Sequence, residues 1–154
     1  MAQTTFSGPV RSNRGFTAAG SSAVVEITAE TTLTYADHVG RIIEVNDADG
    51  AVTLPSITTD TIGAKYTFFI GTDATDLDIK TDGTDKFVGS VSVAGTTTKA
   101  FAPAASNDVI SMNGGTTGGD AGSYVEVTAL ATAEYLVQGV LVGSGTVATP
   151  FADA

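Results

Sequence analysis

The sequence predicts an all-β fold, an antiparallel β-sandwich or jelly-roll-like barrel with an extended N-terminal arm. Three observations predict it. Short apolar segments alternate with the two-residue period of half-buried strands. Turn residues separate them at short intervals, and 18 of the 154 residues are glycine. No stretch has the length and period of an amphipathic helix, and this combination is typical of sandwiches and barrels.

The first half of the β-domain contains five predicted strands, over residues 23–28, 31–35, 40–45, 51–54 and 65–70. Residues 46–50 end in Asp49-Gly50, which predicts a hairpin between the third and fourth strands. Pro55 ends the fourth strand because it has no N–H to donate to a ladder. The fifth strand is the most aromatic and is predicted to lie in the core. Only residues 35–39 or 59–64 could form a helical turn.

The second half contains further predicted strands, over residues 77–80, 86–91, 92–94, 97–101, 108–112, 123–130 and 134–142. Residues 81–85 are predicted to be a turn, and Gly95-Thr96 a hairpin. The Gly-rich residues 113–120 are predicted to be a flexible loop, because they lack the Lys-Ser/Thr ending of a phosphate loop and precede a strand.

Three regions follow from this pattern. Residues 1–21 form the arm, since they are punctuated by glycine and proline and show no periodicity. Residues 1–25 hold Arg11 and Arg14 and no acid, so they carry a charge of +2. Since the net charge of the chain is −10, the remaining residues carry −12. Residues 22–142 form the β-domain. Residues 143–154 form an exposed or partner-bound C-terminal extension; simple fraying remains an alternative for both ends.

The apolar positions of the strands predict the core. These residues supply either the sandwich core or a seam between subunits, and the sequence does not divide them between the two. They are Ile42, Val45, Leu54, Phe68, Ile70, Ile79, Val109, Val125, Val127, Leu136 and Val140.

Composition excludes several classes of function. The chain has no cysteine, so it has no disulfides, thiolate metal sites or cysteine nucleophiles. An excess of 17 acids over 7 bases disfavours binding to nucleic acid. No apolar run reaches the length of a membrane span, and no signal peptide follows Met1. The sequence therefore predicts neither a nucleic-acid nor a membrane partner.

Candidate catalytic residues are few. His38 is the only histidine, so it would have to serve in any nucleophile–histidine–acid triad, and no Gly-x-Ser-x-Gly motif supplies a nucleophile. We interpret it as a turn histidine. Paired carboxylates of the glycosidase type stay open, since their separation depends on the fold. The sequence predicts no enzyme activity and no cofactor.

A cluster of five aspartates within residues 73–85 offers a possible calcium site. The spacing of these aspartates does not match a calcium-binding helix–loop–helix motif, so we favour the interpretation that they are solvated carboxylates in turns. The stretch at residues 46–50 resembles half of a calcium loop but needs no ion as a turn. The cluster comprises Asp73, Asp76, Asp78, Asp82 and Asp85.

Three stretches resemble small head proteins of tailed bacteriophages. Residues 6–16 read Phe-Ser-Gly-Pro-Val-Arg-Ser-Asn-Arg-Gly-Phe, similar to the start of such proteins. Val52-Thr-Leu-Pro55, then Gly63 and Tyr66-Thr-Phe68, are similar to a pattern of phage head and tail-fibre β-domains, and residues 77–90 continue in that style. The resemblance covers about the first ninety residues and includes no catalytic motif.

The resemblance implies a capsid decoration (cement) protein, which is small, all-β, usually trimeric and located on the outer capsid surface of the virion. It implies the major capsid protein and two further copies of this chain as partners. The capsid-binding role is carried over only to Phe6, Pro9, Val10, Arg11, Arg14 and Phe16. Two alternatives remain. One is a tail-fibre or spike domain that binds a receptor or glycan, which the start at Met1 disfavours; the other is a secreted carbohydrate-binding module or small hydrolase.

Overall fold

A computed structural model describes Gly20 and residues 23–154. This part of the chain forms twelve strands and one helix, α1 (Tyr35–His38). The predicted arm residues Phe6, Pro9, Val10, Arg11, Arg14 and Phe16 lie outside the described residues. The strands are β1 (Val24–Ile27), β2 (Thr31–Thr32), β3 (Ile42–Val45), β4 (Ala51–Thr53), β5 (Lys65–Ile70), β6 (Leu77–Lys80), β7 (Lys86–Ala94), β8 (Thr98–Phe101), β9 (Val109–Met112), β10 (Tyr124–Ala131), β11 (Glu134–Val142) and β12 (Phe151–Ala152).

The strands form two sheets that pack as a sandwich. The seven-stranded sheet has the order β1-β3-β5-β10-β11-β7-β8, and the five-stranded sheet has the order β12-β9-β6-β4-β2. The all-β sandwich prediction is confirmed. Whereas the sequence predicts antiparallel neighbours, both sheets are mixed, and five of the ten described strand pairs are parallel.

Four of the five parallel pairs arise because the chain alternates between the sheets from β1 to β7; the fifth is β7 with β11. Parallel neighbours need a crossover connection, which is usually a helix. Here a strand of the opposite sheet serves as the crossover, so β1, β3 and β5 run parallel, as do β2, β4 and β6. The hairpin predicted over residues 46–50 is wrong for the same reason, since β3 and β4 lie in different sheets.

Two local predictions are confirmed. β7 and β8 form the predicted antiparallel hairpin around Gly95-Thr96. A helical turn forms as α1, where the Thr34 side chain caps the helix by accepting the Asp37 N–H. Residues 59–64, the other candidate, contain turns and no helix.

The core between the sheets is apolar and contains an aromatic cluster. The ring centroids of Tyr66 and Phe87 each lie 6.5 Å from that of Tyr135. The Phe151 ring extends the cluster, because its centroid lies 6.5 Å from that of Phe87. The hydroxyl of Tyr135 donates to the carbonyl of Pro55 at 2.6 Å, so the buried hydroxyl has a hydrogen-bond partner. Desolvation raises the pKa of Tyr66 to about 12, so its phenol stays neutral.

Most of the predicted core residues are buried, but three of them are not. Ile42 and Val140 are exposed, and Leu136 is half-buried. On β11 the inward positions are Tyr135, Val137 and Leu141. Side chains of a strand alternate between the two faces of the sheet, so a prediction that is shifted by one residue assigns every side chain to the wrong face. The predicted residues that are buried are Val45, Leu54, Phe68, Ile70, Ile79, Val109, Val125 and Val127.

The C-terminal segment 143–154 belongs to the sandwich, which corrects the prediction of an exposed extension. β12 pairs with β9 at the edge of the five-stranded sheet. Val147 and Phe151 are 5% and 6% exposed and join the core. The segment contains few apolar residues, so its pattern was too sparse to predict that the larger ones are buried.

The Gly-rich loop at residues 113–120 has a defined turn. Gly115 and Gly118 form an isolated antiparallel bridge, and the Asn113 side chain accepts the N–H groups of Gly115 and Thr117. Gly119 has φ +103, and a Cβ there would lie 2.6 Å from Met112 Cβ. Close packing against the core therefore accounts for glycine at this position.

Candidate functional site

His38 has a structural role at the helix. It is 9% exposed, and its Nδ1 accepts the backbone N–H of Thr34 at 3.0 Å. Thr34 is also the residue that caps α1. The single histidine of the chain therefore closes a short helical turn through a local hydrogen bond.

The predicted acidic cluster is dispersed over separate local contacts. Asp73 Oδ1 accepts the N–H of Ala121 at 2.8 Å, and Asp85 Oδ2 accepts the N–H of Ile57 at 2.9 Å. Asp82 accepts backbone N–H groups of its own turn, including that of Asp85. In Gly20 and residues 23–154, no three side chains of His, Asp or Glu converge as metal ligands.

Exposed apolar side chains concentrate on the seven-stranded sheet. Seven of the nine large apolar side chains that are exposed in the described chain lie on its strands. Such a concentration on one face is typical of an interaction surface. The seven are Val24, Ile42, Phe69, Tyr124, Leu130, Val140 and Val142.

Four of these side chains line a groove at the β1 edge of this sheet. The groove has a volume of about 300 Å³ and is formed by Val24, Ile42, Glu44, Thr67, Phe69 and Tyr124, a set we call the outer groove. That volume is at the lower end of the range for ligand pockets.

The register of the strands explains why these residues meet. Val24 pairs with Ile42 across β1 and β3, and Phe69 pairs with Glu44 on one side and with Tyr124 on the other. Residues that are paired across neighbouring strands lie side by side on one face of the sheet, so their side chains are neighbours. Four strands that are distant in sequence thus build one continuous surface.

A hydrogen-bonded carboxylate lies beside the groove. Glu126 Oε1 accepts from Lys65 Nζ at 2.9 Å and from Gln138 Nε2 at 2.7 Å, and Glu126 Oε2 accepts from the hydroxyl of Tyr124 at 3.3 Å. The pKa of Glu126 is lowered, and the main cause is the hydrogen bond from the Lys65 ammonium. Burial and the Glu126 carboxylate raise the pKa of Tyr124, so its hydroxyl remains a donor at neutral pH.

Two further carboxylates lie side by side at the β1 edge. Glu26 pairs with Glu44 in the parallel register of β1 and β3. Glu26 Oε1 accepts from the amide of Asn46 at 2.9 Å. The ion pairs among the described residues are Lys65–Glu126 and Lys86–Asp108, so neither Glu26 nor Glu44 has a cationic partner there. Like charges in adjacent positions repel, and a cation between them would be stabilising.

The sequence predictions missed this surface. The sequence predicts that the whole of the aromatic strand at residues 65–70 lies in the core, yet only Tyr66, Phe68 and Ile70 take the inward positions of β5 and Phe69 faces outward. The signal was present, because two adjacent aromatic residues on a strand face opposite sides of the sheet. The other members of the groove needed the register between strands, which a single sequence does not contain.

No protein-family model, curated protein or solved structure matches the chain. No helix in the described part of the chain is both long and apolar enough to span a membrane. The predicted capsid-binding residues Phe6, Pro9, Val10, Arg11, Arg14 and Phe16 lie outside the described residues.

Proposed function

We propose that this chain is a structural virion protein, a decoration or cement protein that binds the outer surface of a bacteriophage capsid as a homotrimer. Its role there is non-catalytic: it stabilises the shell by bridging major capsid subunits. The observation that supports this best is the concentration of exposed apolar side chains on one sheet of an all-β body. A body that must hold its neighbours needs such an interaction surface.

The sequence supports the capsid as the partner. Residues 6–16 resemble the start of small phage head proteins and combine Phe6 and Phe16 with Arg11 and Arg14. Aromatic and arginine side chains are the commonest anchors of protein interfaces. Three arms on one trimer would bind a shell together, which can raise avidity by about 10²–10⁴ over a single arm.

Co-sedimentation with shells assembled from the major capsid protein tests the proposal. We expect the full chain to saturate the shells and the variant Arg11→Ala/Arg14→Ala to bind at least about tenfold more weakly, a loss of about 1.4 kcal/mol. Lys99→Ala is the matched control, since it removes an exposed cation from β8. Equal binding of all three chains would exclude the arm as the attachment site, and no binding by any of them would refute the capsid role.

A receptor- or glycan-binding domain is the second candidate. Exposed Phe69 and Tyr124 are neighbours, and Glu44, Glu126 and Gln138 provide hydrogen-bonding groups beside them. Aromatic faces with a few fixed polar groups are typical of small-molecule sites. A glycan array compares the two candidates: signals that disappear in Tyr124→Ala and persist in Leu130→Ala would favour this function over capsid decoration.

A further inference from the structure

The outer groove offers a site for an apolar segment. Val24, Ile42, Phe69 and Tyr124 are 41%, 45%, 39% and 41% exposed, although they line a single concave surface. Covering exposed apolar side chains lowers the free energy, because it removes apolar surface from water. A volume of about 300 Å³ suits side chains of a peptide better than a large ligand.

The charge of the groove selects a cationic occupant. Glu44 lines it, Glu26 is its neighbour on β1, and neither has a cationic partner among the described residues. A second copy of the acidic body would bring further negative charge, because residues 26–154 carry −12. An apolar segment with positive charge and no acid is therefore the complementary partner.

The chain itself contains such a segment, which precedes β1 in the sequence. Residues 1–19 hold Phe6, Val10 and Phe16 with Arg11 and Arg14, and no Asp or Glu. The segment leads into β1: the N–H of Ala23 donates to the carbonyl of Gly20 at 3.0 Å, and the following residue lines the groove.

The connection is long enough for the segment to return to the groove. Phe16 precedes Val24 by eight residues, and an extended chain covers up to about 3.6 Å per residue, so the connection can span up to about 29 Å. Because the segment is tethered, docking is intramolecular and proceeds at a high effective concentration.

We propose that the outer groove binds the N-terminal segment of its own chain, with aromatic side chains of residues 6–16 against Ile42 and Phe69 and arginines beside Glu26 and Glu44. This inference extends the proposed function, since it describes the chain before attachment. The arm would exchange the groove for a partner surface when the chain binds a shell, and the groove would shield its aromatic side chains until then.

Hydrogen exchange of the full chain, followed by mass spectrometry in the absence of shells, tests this proposal independently of the capsid role. We expect the amides of residues 6–16 to be protected in the wild type. In Ile42→Lys, which replaces an apolar contact with a cation that repels the arginines, the protection should fall by about tenfold, which corresponds to about 1.4 kcal/mol of docking free energy. Leu130→Lys is the matched control: it adds the same charge at an exposed leucine of β10, away from the groove.

Val24→Ser is the second groove variant and guards against misfolding of the first, with protection of the β10 amides reporting the intact sandwich. Equal exchange of residues 6–16 in the wild type, both groove variants and Leu130→Lys would overturn the proposal. Protection that disappears on dilution would also overturn it, since the groove would then hold the segment of a second copy.

Discussion

At the scale of single residues, Asp108 connects three distant parts of the chain. Its side chain is 7% exposed and accepts from Lys86 Nζ at 2.6 Å. Its second oxygen accepts the N–H of Ala154 at 2.8 Å. Burial alone would raise the pKa of this carboxyl, but the hydrogen bonds and the charge of Lys86 outweigh burial and lower it. The ionised form of Asp108 therefore stabilises the fold.

We predict that Lys86→Met lowers the free energy of unfolding at pH 7 by about 1–3 kcal/mol, because it leaves a buried carboxylate without its cation. The folded pKa of Asp108 lies below its unfolded value. Its contribution is therefore present above the unfolded pKa, near 4, and disappears as the pH falls through the folded pKa. Urea denaturation at pH 7 and below pH 3 measures both effects.

Lys65→Met is the control for this prediction. Lys65 pairs with Glu126 at the surface with half of its side chain exposed, so its loss should cost less than about 1 kcal/mol. An equal loss in the two variants would show that the Lys86–Asp108 pair has no special role.

Asp85 has the opposite electrostatic balance. It is 4% exposed; burial and then the Asp82 carboxylate raise its pKa, although the N–H of Ile57 opposes the shift. A raised folded pKa means that ionisation destabilises the fold as the pH rises past the unfolded value. We predict that Asp85→Asn is more stable than the wild type at pH 7 and gains nothing below pH 3, as measured by thermal unfolding. A loss at pH 7 would contradict this.

At the scale of elements, β12 closes one edge of the five-stranded sheet. Phe151 is 6% exposed and its ring lies 6.5 Å from that of Phe87. The last strand therefore contributes to the core, although residues 143–154 have little apolar pattern. Because Phe151 is buried in this way, residues 143–154 are part of the sandwich and not the exposed extension that the sequence predicts.

We predict that Phe151→Ala lowers the free energy of unfolding by about 3–5 kcal/mol, since it removes a buried aromatic side chain and leaves a cavity. Ile62→Ala is the control, because Ile62 is 47% exposed and should change stability by less than about 0.5 kcal/mol. Chemical denaturation compares them. Equal stability of the two variants would mean that the segment is peripheral, as the sequence pattern suggested.

At the scale of the whole molecule, two sheets with different outer faces share one core. The seven-stranded sheet presents apolar side chains and a groove, whereas none of the large apolar side chains exposed among the described residues lies on a strand of the five-stranded sheet. The exposed residues Val140 and Val142 lie on β11, outside the groove, and remain available to a neighbouring subunit. The proposed trimer would use this part of the sheet.

We predict a solution mass of three times the 15.5 kDa chain by light scattering. Val140→Asp should shift the mass toward that of one chain, because it places a charge on the apolar face. Glu134→Asp, which keeps its charge on the same strand, is the control. A wild-type mass of 15.5 kDa would contradict a trimer that forms before attachment.

The period-two pattern by itself determined the all-β class, and most strands lie close to their predicted bounds. It did so because alternation and turn residues act locally, within a few positions of the chain. The same pattern placed Val45, Phe68, Ile79 and Val127 correctly in the core. It did not determine which face of β11 is buried, since Leu136 and Val140 fit the pattern as well as Tyr135 and Val137 do.

Only the tertiary structure decided the pairing of strands, and with it the candidate site. The outer groove joins Val24, Ile42, Phe69 and Tyr124 from four strands, three of which are parallel because the chain crosses to the other sheet between them. Phe151 likewise became a core residue through contacts with distant strands. Such long-range contacts are stabilised by the apolar area that the whole domain buries. The local sequence pattern indicates only which residues are able to be buried, not which partners bury them.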